Sequence, residues 1–272
     1  MSDDKQPDFK TREVHAGVQP DPVTGSILTP IYQSTTYVQE SVDQYMAKGY
    51  SYSRSGNPTV KALEDRITSL EGGVDTACFA TGMAATSCTL MAMLNTGDHV
   101  ILSDVVYGGT HRVTTKVLNR WGLEASFVDT SDANNIKEAI KSNTRLIFTE
   151  TPANPTLKLT DIAAVSEVAQ ANGIPHVVDN TFLTPYYQRP LELGADITLH
   201  STTKFMEGHN ISVGGSITGR NEEQVEAIKF VRNCLGSNMS PMVAFFTLQG
   251  CKTMSTRVEA QSANALAIAQ FL

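Results

Sequence analysis

The chain has 272 residues, 41% of them hydrophobic and 18% charged, and carries a formal net charge of −7. That length gives one large or two modest domains with enough chain to bury a substantial core. The negative balance offers no basic surface to nucleic acid or an anionic membrane, and no apolar run reaches the roughly eighteen residues a transmembrane helix needs. The opening MSDDKQPDFK is polar and acidic and lacks a signal-peptide layout, so the expected compartment is the cytoplasm. Cys78, Cys88, Cys234 and Cys251 form no CxxC pair and share no ligand spacing with the histidines. Buried structural thiols are expected, with neither a disulfide framework nor a metal site.

Residues 1–60 are rich in Thr, Ser, Pro and Tyr, show little helical periodicity, and read as an arm lying over a surface, its own or a partner's. KALEDRITSLE, from Lys61 to Glu71, places Leu63, Ile67 and Leu70 on one helical face, between Pro58 and Gly72–Gly73. Strands are expected at Thr76–Ala80, His99–Leu102, Ala125–Val128, Leu146–Thr149, His176–Val178 and Ile197–Leu199. Helices are expected near Met83–Leu94, Gly109–Arg120, Asn134–Ile140 and Asp161–Asn172. Short, nearly all-apolar strands alternating with amphipathic helices predict an α/β fold, a mainly parallel sheet covered on both faces. Helical character continues from Pro241 to Leu272, and VEAQSANALAIAQFL stops on Phe271–Leu272 without a cap, as though cut in mid-helix.

The strongest local signal is DITLHSTTKFMEGHNISVGGSI, residues 196–217, in which a strand ends at His200 and leads into Ser201, Thr203 and Lys204. Two hydroxyls close to a lysine suit a phosphate held beside a reactive amine, the side chain that forms Schiff bases. Asp179 falls at the carboxyl end of an apolar strand, where open α/β sheets place ligands, and a carboxylate there can keep a pyridinium nitrogen protonated. In ACFATGMAATS a strand runs through Thr81–Gly82 into a helix, a backbone arrangement that binds phosphate. Tyr107, in DVVYGGTHR, can stack on a planar ring, with Arg112 five residues on; Tyr52 and Arg54 stand in YSRSGNPT. Each feature alone also reads as a surface lysine, a turn cap, an ordinary strand-to-helix turn, a core aromatic or a solvated charge. The nucleotide-binding motifs GxGxxG and GxxxxGKS/T and the serine-hydrolase motif GxSxG are all missing.

Taken together, YSRSGNPT, ATGMAA, YGGT, ETPANPT, VVDNTF and HSTTKFMEGHN resemble, in family order, the Cys/Met-metabolism (trans-sulfuration) enzymes that use pyridoxal 5'-phosphate (PLP). The resemblance covers residues from about 12 to 272 and implies the large domain of fold-type I PLP-dependent enzymes, a mainly parallel seven-stranded sheet flanked by helices. It gives Lys204 as the Schiff-base lysine and proton shuttle, Asp179 as the partner of the pyridinium nitrogen, and Tyr107 as the ring-stacking residue and candidate proton carrier. Gly82, Met83, Ser201 and Thr203 match the phosphate cup, and Asn154 a residue near the cofactor hydroxyl and substrate carboxylate. Tyr52 and Arg54 match residues that reach the neighbouring subunit's cofactor, and Arg112 is a substrate-binding candidate for a distal carboxylate.

The resemblance further implies small amino-acid substrates and a homo-oligomer, a dimer of dimers with shared sites. YGGTxR belongs with enzymes that handle cystathionine or a succinylated substrate, which favours a cystathionine γ-synthase or γ-lyase activity. Homoserine-ester sulfhydrylase and methionine γ-lyase are the alternatives, and Gly109 stands where the latter carry Cys. Family chains are longer, and their small C-terminal domain supplies an Arg for the substrate α-carboxylate. The expected organisation is an arm at 1–60, a PLP-binding domain at 61–255 and the start of a linker helix at 256–272, with the small domain missing. A PLP-binding pseudoenzyme, or a PLP-independent lyase using Lys204 alone, are the readings from other classes.

Overall fold

The computed structural model describes residues 7–43 and 49–272; residues 1–6 and 44–48, parts of the expected arm, lie outside the described residues. The arm opens on a helix that its sparse periodicity conceals, α1 (Phe9–His15), capped by Asp8, which accepts the Thr11 N–H. Glu13 on α1 is buried and accepts both the N–H and the hydroxyl of Ser255, so this part of the arm lies on its own chain. Helix α2 (Pro58–Glu71) begins before the expected Lys61, because Asn57 is the cap that accepts from Thr59 and Val60. Pro58 then occupies the first turn, where its missing N–H costs nothing, and Gly72 closes the helix at φ 72°. The expected domain boundary between residues 60 and 61 therefore falls inside α2.

Seven strands form one sheet in the order β1-β7-β6-β5-β4-β2-β3. They are β1 (Asp75–Phe79), β2 (His99–Ser103), β3 (Glu124–Val128), β4 (Thr144–Glu150), β5 (His176–Asp179), β6 (Ile197–His200) and β7 (Gly215–Gly219). Strand β7 runs antiparallel to β1 and β6, and all other pairs are parallel. Six strands coincide with the expected ones to within about two residues at each end. The seventh, GSITG, is too short and glycine-bounded to show in a pattern of apolar runs. Its glycine is a packing requirement, since a Cβ on Gly215 would lie 2.4 Å from the Thr81 carbonyl oxygen.

The helices that follow the sheet are α3 (Gly82–Met93), α4 (Gly108–Arg112), α5 (Ala133–Ala139), α6 (Ile162–Ala171), α7 (Thr184–Tyr187), α8 (Glu222–Leu235), α9 (Pro241–Cys251) and α10 (Met254–Phe271). The single helix expected over Gly109–Arg120 is instead α4, a π-helical turn over Val113–Val117 and a 3-10 turn over Leu118–Trp121. The hydroxyls of Thr114 and Thr115 bond back to the carbonyls of Thr110 and His111, competing with a regular ladder, and Gly122 stops the run at φ 85°. Helix α8 escapes an apolar-run reading but carries cap signals: Asn221 accepts from Glu223 and Gln224, and Gly236 ends it in the left-handed region. The helical stretch expected from Pro241 onward divides at Lys252–Thr253, and α10 spans the expected boundary at 255/256, with every residue from Glu259 exposed.

Covering both faces explains the apolar runs. Val100 and Leu102 of β2 join Phe79, Leu90 and Phe148 in one cluster, while Ile101 between them joins Ile136, Ile147 and Val165 in another. A third cluster packs Leu63, Ile67 and Leu70 of α2 against Cys78, Leu248 and Met254. Cys78, Cys88 and Cys251 are buried as expected, but Cys234 is exposed, because the buried face of α8 is Val225, Ile228 and Arg232 and position 234 points away from it. Among the described residues no helix is long and apolar enough to cross a membrane.

Strand β5 opens on His176, wholly enclosed, with its Nε2 at 2.8 Å from the Thr149 hydroxyl and its Nδ1 at 2.9 Å from that of Ser166. Burial pushes its pKa down from 6.5 to about 3, so the folded protein keeps the ring neutral while the unfolded chain takes up a proton near 6.5. The unfolded state then binds more protons between those values, and stability falls as pH drops from about 6.5 towards 3. His176→Leu should be less stable at neutral pH by about 1–3 kcal/mol, because two hydroxyls lose their partner. It should lose less on acidification than the parent; denaturant midpoints at neutral pH and in that window check both signs.

Candidate active site

Parallel pairing delivers the carboxyl ends of β4, β5 and β6 to one edge of the sheet, where a cavity of about 350 Å³ opens. Its walls include Gly82, Met83, Tyr107, Glu150, Asn154, Asp179, Thr181, Ser201, Thr203 and Lys204, with Phe182, Leu199 and Val213 as apolar surface. One wall is the start of α3. Thr81 caps that helix by accepting the Ala84 N–H at 2.8 Å, and the N–H groups of Gly82 and Met83, in its first turn, have no acceptor within the helix. Opposite lies the turn after β6, which carries Ser201, Thr203 and Lys204; the Lys204 N–H reaches the Ser201 carbonyl and the Gly208 N–H the Lys204 carbonyl. Helix start and turn approach so closely that a Cβ on Gly82 would sit 2.8 Å from Ser201 Cβ.

Asp179 ends β5 and is 9% exposed. Burial raises its pKa, and the N–H and hydroxyl of Thr181, at 3.1 and 2.6 Å from Oδ1, pull the other way by stabilising the anion. The Thr181 hydroxyl also accepts the Ser201 N–H at 2.9 Å, so one side chain couples the carboxylate to the turn bearing the lysine. Tyr107 caps α4 at the mouth, 46% exposed, with its ring against Gly109: a Cβ there would lie 2.5 Å from Tyr107 Cε1 and 2.6 Å from Met83 Sδ.

Eight residues expected from the sequence therefore line one cavity: Gly82, Met83, Tyr107, Asn154, Asp179, Ser201, Thr203 and Lys204. Tyr52, Arg54 and Arg112 are outside that lining. Arg54 lies over the Tyr52 ring, 5.3 Å from its centroid, and donates to Asn233 of its own chain, while Arg112 is exposed on α4. Two further polar residues of the lining, Thr181 and Glu150, are not among those expected from the sequence. Thr181 carries no motif value on its own, although its place two residues after Asp179 is the spacing of an Asx turn. Glu150 stands at the carboxyl end of β4 as Asp179 does on β5, a positional signal open to a reader of the strands. Burial, and then the charge of Asp179, push the Glu150 carboxyl up to about 7.

This donor set fits pyridoxal phosphate. Free N–H groups at a helix start, the Ser201 hydroxyl opposite them and glycine-only clearance suit a phosphate, with the Thr203 hydroxyl beside it held by the N–H and carbonyl of Gly214; the ring of Tyr107, the carboxyl of Asp179 and the amine of Lys204 suit the pyridine and its aldehyde.

Residues 10–272 match the family of Cys/Met metabolism PLP-dependent enzymes. The chain is 49% identical to a probable cystathionine gamma-synthase of Herpetosiphon aurantiacus, over 97% of its own length and 82% of the relative's. It is 47% identical to the cystathionine gamma-lyase of Bacillus subtilis, over 97% of the chain and 69% of the relative. The crystal structure of metB from Corynebacterium glutamicum superposes with a TM-score of 0.94 at 44% identity, covering 97% of this chain and 69% of that one. The chain belongs to the Cys/Met metabolism family of PLP-dependent enzymes.

Proposed function

We propose that this chain, with pyridoxal phosphate, makes or breaks the Cγ–S bond of cystathionine. The observation that carries the reading is one cavity lined at once by the Lys204 amine, the buried Asp179 carboxyl, the Tyr107 ring and a helix start. Relatives named for cystathionine gamma-synthase, gamma-lyase and beta-lyase stand at 49%, 47% and 44% identity, which supports cystathionine chemistry and leaves the bond and the direction to experiment.

When bound, the cofactor supplies an aldehyde for the Lys204 amine and a ring that takes up the electron pair freed at Cα. The N–H groups of Gly82 and Met83 and the hydroxyls of Ser201 and Thr203 would hold the phosphate. Asp179 would keep a proton on the pyridine nitrogen, and Asn154 would orient the ring hydroxyl. Lys204 Nζ would take the Cα proton and then move a proton at Cβ, letting the γ substituent leave; the Tyr107 phenol is the second proton carrier.

Arg112, exposed on the helix that Tyr107 caps, is the cation proposed for the substrate's distal carboxylate. Tyr52 and Arg54, outside their own chain's cavity lining, support a homo-oligomer in which this stretch of the arm reaches a neighbour's cofactor; the assembly proposed is a dimer of dimers, and the compartment the cytoplasm. In this reading the PLP-binding domain takes in the whole of α2 from Pro58 and runs to the start of α10 at Met254.

Lys204→Ala should lack the borohydride-sensitive visible band of the wild type, and turnover should fall about 10³-fold or more, because one amine serves both as attachment point and as base. Release of cysteine and the four-carbon keto acid from cystathionine assigns the γ-lyase direction; consumption of an activated homoserine ester with cysteine to form cystathionine assigns the synthase; the three-carbon keto acid with homocysteine would place the cleavage at Cβ–S instead. A wild-type protein that shows the band and does neither would overturn the proposal. Gly82→Ala forces a methyl group against Ser201 and should weaken PLP binding about ten- to hundredfold, read by equilibrium titration of the apoprotein.

A further inference from the structure

Glu150 is 7% exposed, and both its carboxylate oxygens are spoken for by backbone. Oε2 accepts the Tyr107 N–H at 2.6 Å, and Oε1 accepts the Asn154 N–H at 3.0 Å. These donors lie on two separate loops, one leaving β2 and one leaving β4. Tyr107 has no side-chain hydrogen bond capping α4, so the Glu150 contact fixes the start of that short helix. The strand end beneath is itself tied down. The Glu150 N–H points to the Ser103 hydroxyl at 3.4 Å, Ser103 bonds the Thr130 hydroxyl at 2.8 Å, and Thr130 bonds that of Thr160 at 2.6 Å. Glu150 is also the register partner of Asp179 on the adjacent parallel strand, so the two side chains leave the sheet on the same face, and both line the cavity.

We propose that Glu150 is a positioning residue of this site: a single carboxylate fastens the loops of Tyr107 and Asn154 and sets a second negative charge beside Asp179. The inference rests on the reading of the cavity as a PLP site. Two N–H donors favour the anion of Glu150; burial and the Asp179 charge oppose it. Asp179 from β5, Lys204 from the turn after β6 and Tyr107 from the loop after β2 are the titratable groups that share the cavity with it. A cation there, the Lys204 ammonium or a protonated ring nitrogen, relieves the conflict between the two carboxyls. The pair therefore favours positive charge in the cavity more strongly than Asp179 alone would.

The test compares Glu150→Gln with Glu150→Asp in the PLP-loaded protein and in the apoprotein. Gln removes the charge and replaces one acceptor with a donor; Asp keeps the charge but reaches back by one methylene. In the loaded protein, Glu150→Gln should move the pH midpoint of the visible band down by about one unit, because a protonated chromophore loses a neighbouring anion, and should lower kcat about tenfold or more with a smaller change in KM. Glu150→Asp should restore the midpoint while recovering only part of kcat, since the shorter side chain reaches one N–H and not both. In the apoprotein, a carboxyl raised from 4.5 to about 7 costs stability progressively as pH rises through that interval. The stability of Glu150→Gln relative to wild type should therefore increase from the acid to the alkaline side of that window. Folded Glu150→Gln with an unmoved midpoint and unchanged kcat would overturn the proposal. If the wild type binds no PLP, the functional reading fails instead, and the apoprotein profile alone decides for Glu150: no change of relative stability across the window rejects the charge role.

Discussion

Parallel pairing of β4, β5 and β6 carries three chain segments out of the sheet at one edge, and the chemistry of the molecule hangs on that edge. The register sets Glu150 beside Asp179 and Asp179 beside Leu199, so two carboxyls and an apolar side chain leave on one face, each one strand spacing from the next. The next residues of β6 then turn back as Ser201–Lys204, which puts the amine at the same edge. The antiparallel β7 completes the arrangement from the other side. Gly215 presses against Thr81, which holds the start of α3 close to the lysine turn it faces. A one-residue slip in β5 would send Asp179 to the opposite face.

Burying two carboxyls side by side is unfavourable, and the structure offsets it locally with hydrogen bonds instead of ion pairs. Asp179 receives an N–H and a hydroxyl from Thr181, and Glu150 receives two N–H groups from loops that also carry Tyr107 and Asn154. The stabilisation and the positioning are the same contacts. Behind the lysine turn, Arg257 of α10 donates to the carbonyls of Phe205, Met206 and Gly250, and its guanidinium fills the space over Gly208, where a Cβ would lie 1.8 Å away. Helix α10 thus holds the turn that bears Lys204. At the β1 edge of the sheet, Arg232 of α8 meets Glu64 of α2 at 2.6 Å and the Cys78 carbonyl at 3.0 Å, a buried pair that locks two helices onto β1. Such a pair fixes arrangement more than it adds stability.

Much of this architecture was legible before any coordinates. Six apolar strands, most helices, the sheet class and eight of the cavity-lining residues follow from runs, caps and motif order. What escaped reading did so for identifiable reasons. Strand β7 hides because GSITG is flanked by glycines needed for close approach, and α1 because Asp8 starts it while its apolar residues are few. The Gly109–Arg120 stretch breaks because threonine hydroxyls compete for its own carbonyls. Cys234 is exposed because a cysteine carries no information about which side of a helix it occupies.

The sequence by itself determined the elements whose signal is local: apolar strands from composition, the α2 face from its periodicity and its Gly72–Gly73 stop, and, through the resemblance carried by motif order, the candidate lysine, aspartate and tyrosine. Tertiary structure alone decided which of those residues meet. Register and strand order are long-range facts, set by the packing of two sheet faces at once. Only they bring Glu150 next to Asp179, join Thr181 to Ser201, and leave Tyr52, Arg54 and Arg112 outside the cavity their own chain forms. A carboxylate's role depends on its neighbours in space, and two neighbours of Glu150, Tyr107 and Asp179, lie 43 and 29 residues away along the chain.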